Sequence, residues 1–264
     1  MKVDAKRSEP PALGEVYGLE FYRSQLSESE QSAREYLTYL WSVFQPGSVL
    51  DVGCGRGAWL KVFAELGASR VTGYDGPWNS AGDMIDPRIQ FKAIDLDRPF
   101  DSERVDLAMT LEVAEHLKPE SSDAFVASLA RCSDAVMFAA AFTDQGGTNH
   151  INERPHSFWG ERFAALDFDV FDVFRPKFWG NEKVCFWYRQ NTFMYLRRST
   201  EVHERFTNAG FRPLVDMSFL DCVHPALFAR KPFVSEPGVR ELAKSLFPAL
   251  RRSWAFHAGR HRGR

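Results

Sequence analysis

Two groups of residues in this chain have types and spacings that can do chemistry. In the first, Val49-Leu50-Asp51-Val52 runs straight into Gly53-Cys54-Gly55-Arg56-Gly57. Closely spaced glycines permit the unusual φ values and the close backbone approach that a tight turn around a ligand requires. Asp51 lies two residues before the first glycine, so a carboxylate stands beside whatever the turn holds. The run Gly53-x-Gly55-x-x-Ala58 also fits a dinucleotide turn. A pyrophosphate would be repelled by Asp51, however, and a cationic group attracted. In the second group, Glu112-Val113-Ala114-Glu115-His116 offers two carboxylates and an imidazole. On a helical turn these stand at i, i+3 and i+4 and share one face. That donor set suits a divalent cation (Mg²⁺, Mn²⁺ or Zn²⁺), with the softer imidazole pulling away from pure Mg²⁺.

Elements must bring these groups together. Short apolar runs alternate with helical patterns, which is the signature of a mostly parallel sheet. Strands are expected at Ser48–Val52, Arg70–Tyr74, Ile89–Leu96, Val105–Leu111, Ala135–Ala140, Val170–Phe174 and Thr192–Leu196. Helices are expected at Ser27–Phe44, Ala58–Leu66, Ser122–Cys132, His156–Leu166, Glu201–Ala209 and, with an amphipathic face, Val239–Trp254. No helical pattern separates the last two strands, so the final strand is expected to be antiparallel, with the aromatic-rich stretch Arg175–Gln190 as an insertion near the sheet's edge. The fold class is therefore α/β: a Rossmann-like, doubly wound sheet of seven strands with an N-terminal helix and a C-terminal helical extension. Domain boundaries are placed at 1–45, 46–198 and 199–264.

In such a sheet ligands bind at the carboxyl ends of the strands. Asp75 and Gly76 close the second strand, where an acid can accept ribose hydroxyls, and Asp95 with Leu96 follows the third, placed to meet an adenine. Leu111 ends the fourth strand beside Glu112. Each Asp taken singly also reads as a turn or cap residue. Together, three acids at three strand ends match S-adenosylmethionine, which carries a sulfonium and an ammonium and has no phosphate. The expected cofactor contacts are Asp51, Gly53, Cys54, Gly55, Asp75, Gly76, Asp95, Leu96 and Leu111.

These segments resemble the successive motifs of class I S-adenosylmethionine-dependent methyltransferases, over about Pro46 to Arg198. A narrower likeness, in Gln145-Gly146-Gly147-Thr148-Asn149-His150-Ile151-Asn152-Glu153, Phe174-Arg175-Pro176-Lys177-Phe178-Trp179, Trp187-Tyr188-x-Gln190-Asn191 and Val223-His224-Pro225, is to a bacterial family found with surface-polysaccharide and natural-product glycan genes. That resemblance implies a small-molecule or glycan acceptor, methylated on a hydroxyl. An alkyl hydroxyl needs a base or a metal to lose its proton at neutral pH. Glu112, His116 and His150 are the candidate catalytic residues. The E-x-x-E-H spacing resembles metal-dependent O-methyltransferases, including RNA ribose 2′-O-methyltransferases, and implies Glu112, Glu115, His116 and His150 as a metal set. Metal-free enzymes carry a similar Glu and His, so a capping role stays open for His116. Among the aromatics, Trp179 and Trp187 are the candidates for an acceptor wall.

Composition narrows the alternatives. The formal net charge of −2 and the absence of an added RNA-binding module argue against nucleic acid as partner. Charge is uneven: Pro237 to Arg264 carries seven basic residues against one acid, so peripheral contact of this tail with an anionic surface is conceivable, as is a solvated terminus. Cys54, Cys132, Cys185 and Cys222 are widely spaced and read as free thiols. With no signal-like run and no eighteen-residue apolar stretch, the expected location is the cytoplasm. The competing class is a non-catalytic, methyltransferase-like subunit that binds a partner through its basic C-terminal helix. Retention of Asp51, Gly53, Gly55, Asp75 and Asp95 speaks against it.

Overall fold

A computed structural model describes residues 19–230. The start of the chain, the expected helix Val239–Trp254 and the basic tail lie outside the described residues. The elements are α1 (Leu19–Trp41), β1 (Ser48–Val52), α2 (Ala58–Leu66), β2 (Arg70–Asp75), β3 (Ile89–Ala93), β4 (Leu107–Leu111), α3 (Ser122–Cys132) and β5 (Ala135–Ala139). After a long loop come α4 (His156–Ala164), β6 (Phe168–Phe171), α5 (Arg175–Phe178), α6 (Phe186–Asn191), β7 (Phe193–Arg197), α7 (Glu201–Asn208) and α8 (Pro225–Arg230). No helix among the described residues is long and apolar enough to cross a membrane.

The seven strands form one sheet in the order β3-β2-β1-β4-β5-β7-β6. β1 pairs in parallel with β2 and β4, whereas β7 runs antiparallel between β5 and β6. This is the Rossmann-like, mostly parallel sheet with a reversed last strand expected from the alternation of runs. Both faces are covered, because successive residues of a strand point to opposite sides. Val49, Val71, Leu107, Met109 and Met137 meet Tyr36, Leu37 and Leu40 of α1 and Leu60 and Phe63 of α2. Leu50, Val52, Ala108, Val136 and Phe138 meet Phe125 and Leu129 of α3 and Trp159 and Phe163 of α4.

Several expectations need correction: the first helix spans Leu19–Trp41 rather than Ser27–Phe44, and β6 spans Phe168–Phe171 rather than Val170–Phe174. β3 stops at Ala93 rather than Leu96. Asp95 Oδ1 accepts from the Asp97 amide, and a side chain that bonds its own backbone competes with a strand ladder. The stretch Arg175–Gln190 leaves β6 at the sheet's edge, as expected of an insertion there, but folds as α5 and α6 against α1. Tyr36 stacks on Phe174 at 4.5 Å, Ser32 Oγ accepts from the Cys185 amide, and Ser29 and Tyr188 share a hydroxyl hydrogen bond. Amphipathic spacing showed that these rings would be buried but not which helix would bury them.

Candidate active site

The strand order reverses between β1 and β4, so the carboxyl ends of these two strands open a crevice where ligands of α/β sheets bind. β1 delivers the glycine turn there. Gly53, Gly55 and Gly57 all take positive φ. Gly53 has a further constraint: a Cβ there would lie 2.3 Å from Val113 Cγ2. The amides of Gly53 and Cys54 donate to the Tyr74 carbonyl at 2.7 and 3.1 Å, which locks the turn to the end of β2. Asp75 does the same from the side: Oδ2 accepts from the Gly55 amide and Oδ1 from the Gly76 amide, both at 2.6 Å. Burial still holds its carboxyl above the usual range against those two donors.

Asp51 is 3% exposed and accepts no hydrogen bond among the described residues. Burial first, and the charge of Asp75 second, push it well above the usual carboxylate range. Such a group gains from any cation that reaches it. It faces a cavity of about 130 Å³ lined also by Gly53, Cys54, Gly55, Leu111 and, from three helices, Ser29, Trp59 and Tyr188. That volume is well under the roughly 300–1,000 Å³ of whole-ligand pockets, so it fits one end of a larger molecule. A larger cleft of about 540 Å³ lies at the opposite, amino ends of the central strands, between Phe44, Arg104, Asp106 and α7. Arg104 there is paired with Asp134 at 2.7 Å.

Other expected contacts fall around this cavity rather than in its wall. Gly76 lies directly under the indole of Trp78, since an added Cβ would come within 2.1 Å of the ring; the indole itself is 59% exposed. Asp95 is exposed and paired with Arg98 at 3.2 Å, and Leu96 is buried among Leu50, Val52, Tyr74 and Phe100. Sequence reasoning overlooked Ser29, Trp59 and Tyr188 as cavity residues. Trp59 could have been flagged, because it is the second residue of the helix that leaves the glycine turn.

β4 delivers the second group, although not on one helical face. Glu112 takes a positive φ of 58°, and only Ala114–His116 form a single 3₁₀ turn. Glu112 is gripped by two amides, and its carboxyl still lies beside that of Glu115. Glu112 Oε1 accepts from Asn191 Nδ2 at 2.8 Å and Oε2 from Gln145 Nε2 at 3.2 Å. Burial, opposed by those amides, lifts Glu112 to about 7. Glu115 is fully buried, and neither carboxylate oxygen has a hydrogen-bond partner; the nearby amides of Glu115 and Ala141 lie outside bonding geometry. Burial and the charge of Glu112 push it far above the ordinary range.

The loop after β5 closes over this turn. Ile151 and Asn152 donate their amides to the Glu115 carbonyl at 2.9 and 3.0 Å, and Asn152 Nδ2 reaches the Ala114 carbonyl and Ser122 Oγ. His150 is thereby set edge-on to His116, with ring centres 4.8 Å apart. Ligand atoms of Glu115, His116 and His150 lie within 4.8 Å of one another, an arrangement that can hold a metal ion. Glu112 is not among them. His150 Nδ1 faces Glu153 Oε1 at 2.7 Å, which also accepts from the Gly146 amide at 2.8 Å. A carboxylate there draws the ring proton to Nδ1 and leaves the Nε2 lone pair free. His116 shows an edge to solvent, yet its surroundings and the neighbouring His150 push it down to about 4. Trp179 packs on His224 and Trp187 on Phe186 and Tyr188, and both rings are half-buried.

Residues 22–215 match the family described as Methyltransferase domain. No curated protein matches the chain. Among solved structures, magnesium protoporphyrin IX methyltransferase (ChlM) from Synechocystis PCC 6803, solved with bound SAH, is similar at 17% identity and a TM-score of 0.50, covering 70% of this chain and 92% of that one. Streptomyces venezuelae DesVI is similar at 14% identity and a TM-score of 0.50, covering 72% of this chain and 100% of that one. At these identities the likeness is one of fold.

Proposed function

Because the chain belongs to the methyltransferase-domain family, we propose that it transfers the methyl group of S-adenosylmethionine to a hydroxyl of a sugar, glycoconjugate or glycosylated natural product. Residues 46–198 carry the reaction in this reading, with residues 1–45 and 199–264 as flanking segments. The observation that carries it is Asp51, a buried carboxyl without a hydrogen-bond partner beside a glycine turn. A cofactor with an ammonium supplies the missing charge, whereas a dinucleotide would bring its phosphates against Asp51 and Asp75. When bound, S-adenosylmethionine supplies an electrophilic methyl group for in-line displacement.

The chain's own task is to place an acceptor oxygen and take its proton. Glu115 and the two imidazoles come together just past the end of β4, whose last residue, Leu111, lines the cavity beside Asp51. Two buried carboxylate oxygens without donors, next to two imidazole nitrogens, fit a divalent cation better than they fit an empty pocket. Glu115, His116 and His150 would hold it, and a cation there would lower the pKa of an acceptor hydroxyl. Glu112, with both oxygens held by amides, keeps Gln145 and Asn191 in register behind this set. His150 Nε2 is the proton acceptor when no cation is bound, and Glu153 stabilises the resulting imidazolium. The sugar-like acceptor rests on the family resemblance of the Gln145–Glu153 stretch and on the polar groups that this loop presents.

Calorimetry on the purified chain tests the reading. S-adenosylhomocysteine should bind and NAD(H) should not; the opposite preference removes the proposal.

A further inference from the structure

The loop that closes over the Glu115–His116 turn runs on into a cation that the proposed reaction does not use. Asn152 is buried, and its amide nitrogen donates to the Ala114 carbonyl at 3.2 Å and to Ser122 Oγ at 3.0 Å. A carbonyl can only accept, so the Asn152 side chain cannot turn over. Its oxygen is thereby held toward Arg154, whose Nε donates to it at 2.8 Å. One amide group therefore separates Arg154 from the turn, Ala114–His116, that carries two of the three candidate metal ligands.

Arg154 has a second anchor. Its guanidinium carbon lies 5.0 Å from the centre of the Phe158 ring, in the first turn of α4, and that ring is braced edge-on against the buried Trp159 at 4.9 Å. A guanidinium stacked on a ring and bonded through one nitrogen has little freedom left to lose when it binds a ligand. Its two terminal nitrogens carry four N–H donors, and none of them reaches an acceptor among the described residues. Arg162 shares the ring at 3.3 Å, but its charge is answered by Asp123 at 2.7 Å. Arg154 has no such partner among the described residues. Glu153, its neighbour in sequence, is engaged by His150 and the Gly146 amide. Two guanidiniums on one ring, with one carboxylate for the pair, leave a positive charge uncompensated. A planar, half-buried fork of this kind matches an oxyanion.

We infer that Arg154 selects the acceptor, pairing with a phosphate or carboxylate of the sugar-like substrate while the hydroxyl to be methylated lies at Glu115, His116 and His150. The inference rests on the acceptor reading above and narrows it from sugars in general to anionic ones, sugar phosphates or uronic acids. The placement suits a single small molecule. His150 and Arg154 are four residues apart, so even a fully extended chain would hold them within about 14 Å. An ion pair at one end of the acceptor and the reacting groups at the other fix its orientation, which is what in-line transfer to one hydroxyl among several demands.

The test is calorimetric titration of the full chain, saturated with S-adenosylhomocysteine, with glucose 1-phosphate, glucuronate and methyl glucoside, which offer one ring with a phosphate, a carboxylate and no charge. Wild type should bind at least one charged sugar about 10-fold or more tightly than methyl glucoside, and the better of the two identifies the anion. Arg154→Gln should weaken that sugar about 10-fold and leave methyl glucoside and S-adenosylhomocysteine within about 2-fold. Arg154→Lys, which keeps the charge and loses the fork, should fall between. Thermal melts confirm that both variants fold, and Arg154→Lys carries the test if Arg154→Gln does not. No preference for a charged sugar in wild type, an undiminished preference in the folded variants, or equal losses for all three sugars overturns the inference and leaves the proposed reaction standing. Binding of S-adenosylhomocysteine without any of the sugars overturns the sugar acceptor and the inference together.

Discussion

Asp51→Asn separates a ligand-binding role from a structural one, because the two roles predict opposite signs. In the free protein the carboxylate is almost fully buried, bonded to nothing, and repelled by Asp75. Removing its charge relieves that cost. The apo variant should gain on the order of 1 kcal/mol, or about 2–4 °C in Tm for a chain of this size. The sign has a pH signature. A carboxyl held above its unfolded value binds more protons in the native state, so wild type loses stability as pH rises above the ordinary carboxylate range. The variant lacks that loss, and the gap between the two melting curves should widen from pH 4 upward. Cofactor binding should go the other way. A charge-assisted bond from an ammonium to a buried carboxylate contributes about 1.5–3 kcal/mol, so Kd for S-adenosylhomocysteine should rise by about 10- to 150-fold. Differential scanning fluorimetry across pH and calorimetry at pH 7.5 read both quantities. A variant that is less stable than wild type and binds the cofactor unchanged would show Asp51 to be a fold residue.

Further outcomes follow from the same geometry. Gly53→Ala combines a positive φ with a methyl 2.3 Å from Val113, and should cost about 2–4 kcal/mol in denaturant unfolding; a loss under about 0.5 kcal/mol would disprove the close approach. Chelation should abolish turnover, and Mn²⁺ or Mg²⁺ should restore it in wild type and not in Glu115→Gln, whereas full activity in metal-stripped protein rules the cation out. His150→Ala should lower kcat by about 100-fold or more with cofactor affinity intact, and unchanged turnover removes His150 from the reaction. His156 is buried between the Leu220 carbonyl and Asn191 Oδ1, and burial pushes it down to about 4 from its ordinary 6.5. Because the unfolded chain then binds the extra proton, the native state loses stability as pH falls through that window, by up to about 3 kcal/mol. The Tm difference between wild type and His156→Gln should therefore shrink from pH 7 to pH 4.5, and a constant difference contradicts the assignment.

Much of this protein is written locally. Apolar runs of strand length, the helical spacing of Tyr36, Leu37 and Leu40, and glycines at positions 53, 55 and 57 act over a few residues, so alternation and turn chemistry are legible without coordinates. So was the position of Asp51, because its distance from Gly53 along the chain sets its distance in space. Three features depended on the tertiary structure. The spacing of Glu112, Glu115 and His116 suggests one helical face, but with a left-handed backbone at Glu112 and its carboxylate gripped by Asn191 and Gln145 from distant segments, it is His150 that joins Glu115 and His116. Asp95 was expected to end a strand, but it lies past the end of β3 in a turn of its own, where it accepts from the Asp97 amide and pairs with Arg98. The cavity beside Asp51 is completed by Ser29, Trp59 and Tyr188 from α1, α2 and α6, which lie up to 159 positions apart. Sequence period reports which face of an element is apolar; which element covers that face, and which buried donor goes without a partner, is decided only when distant segments compete for the same space.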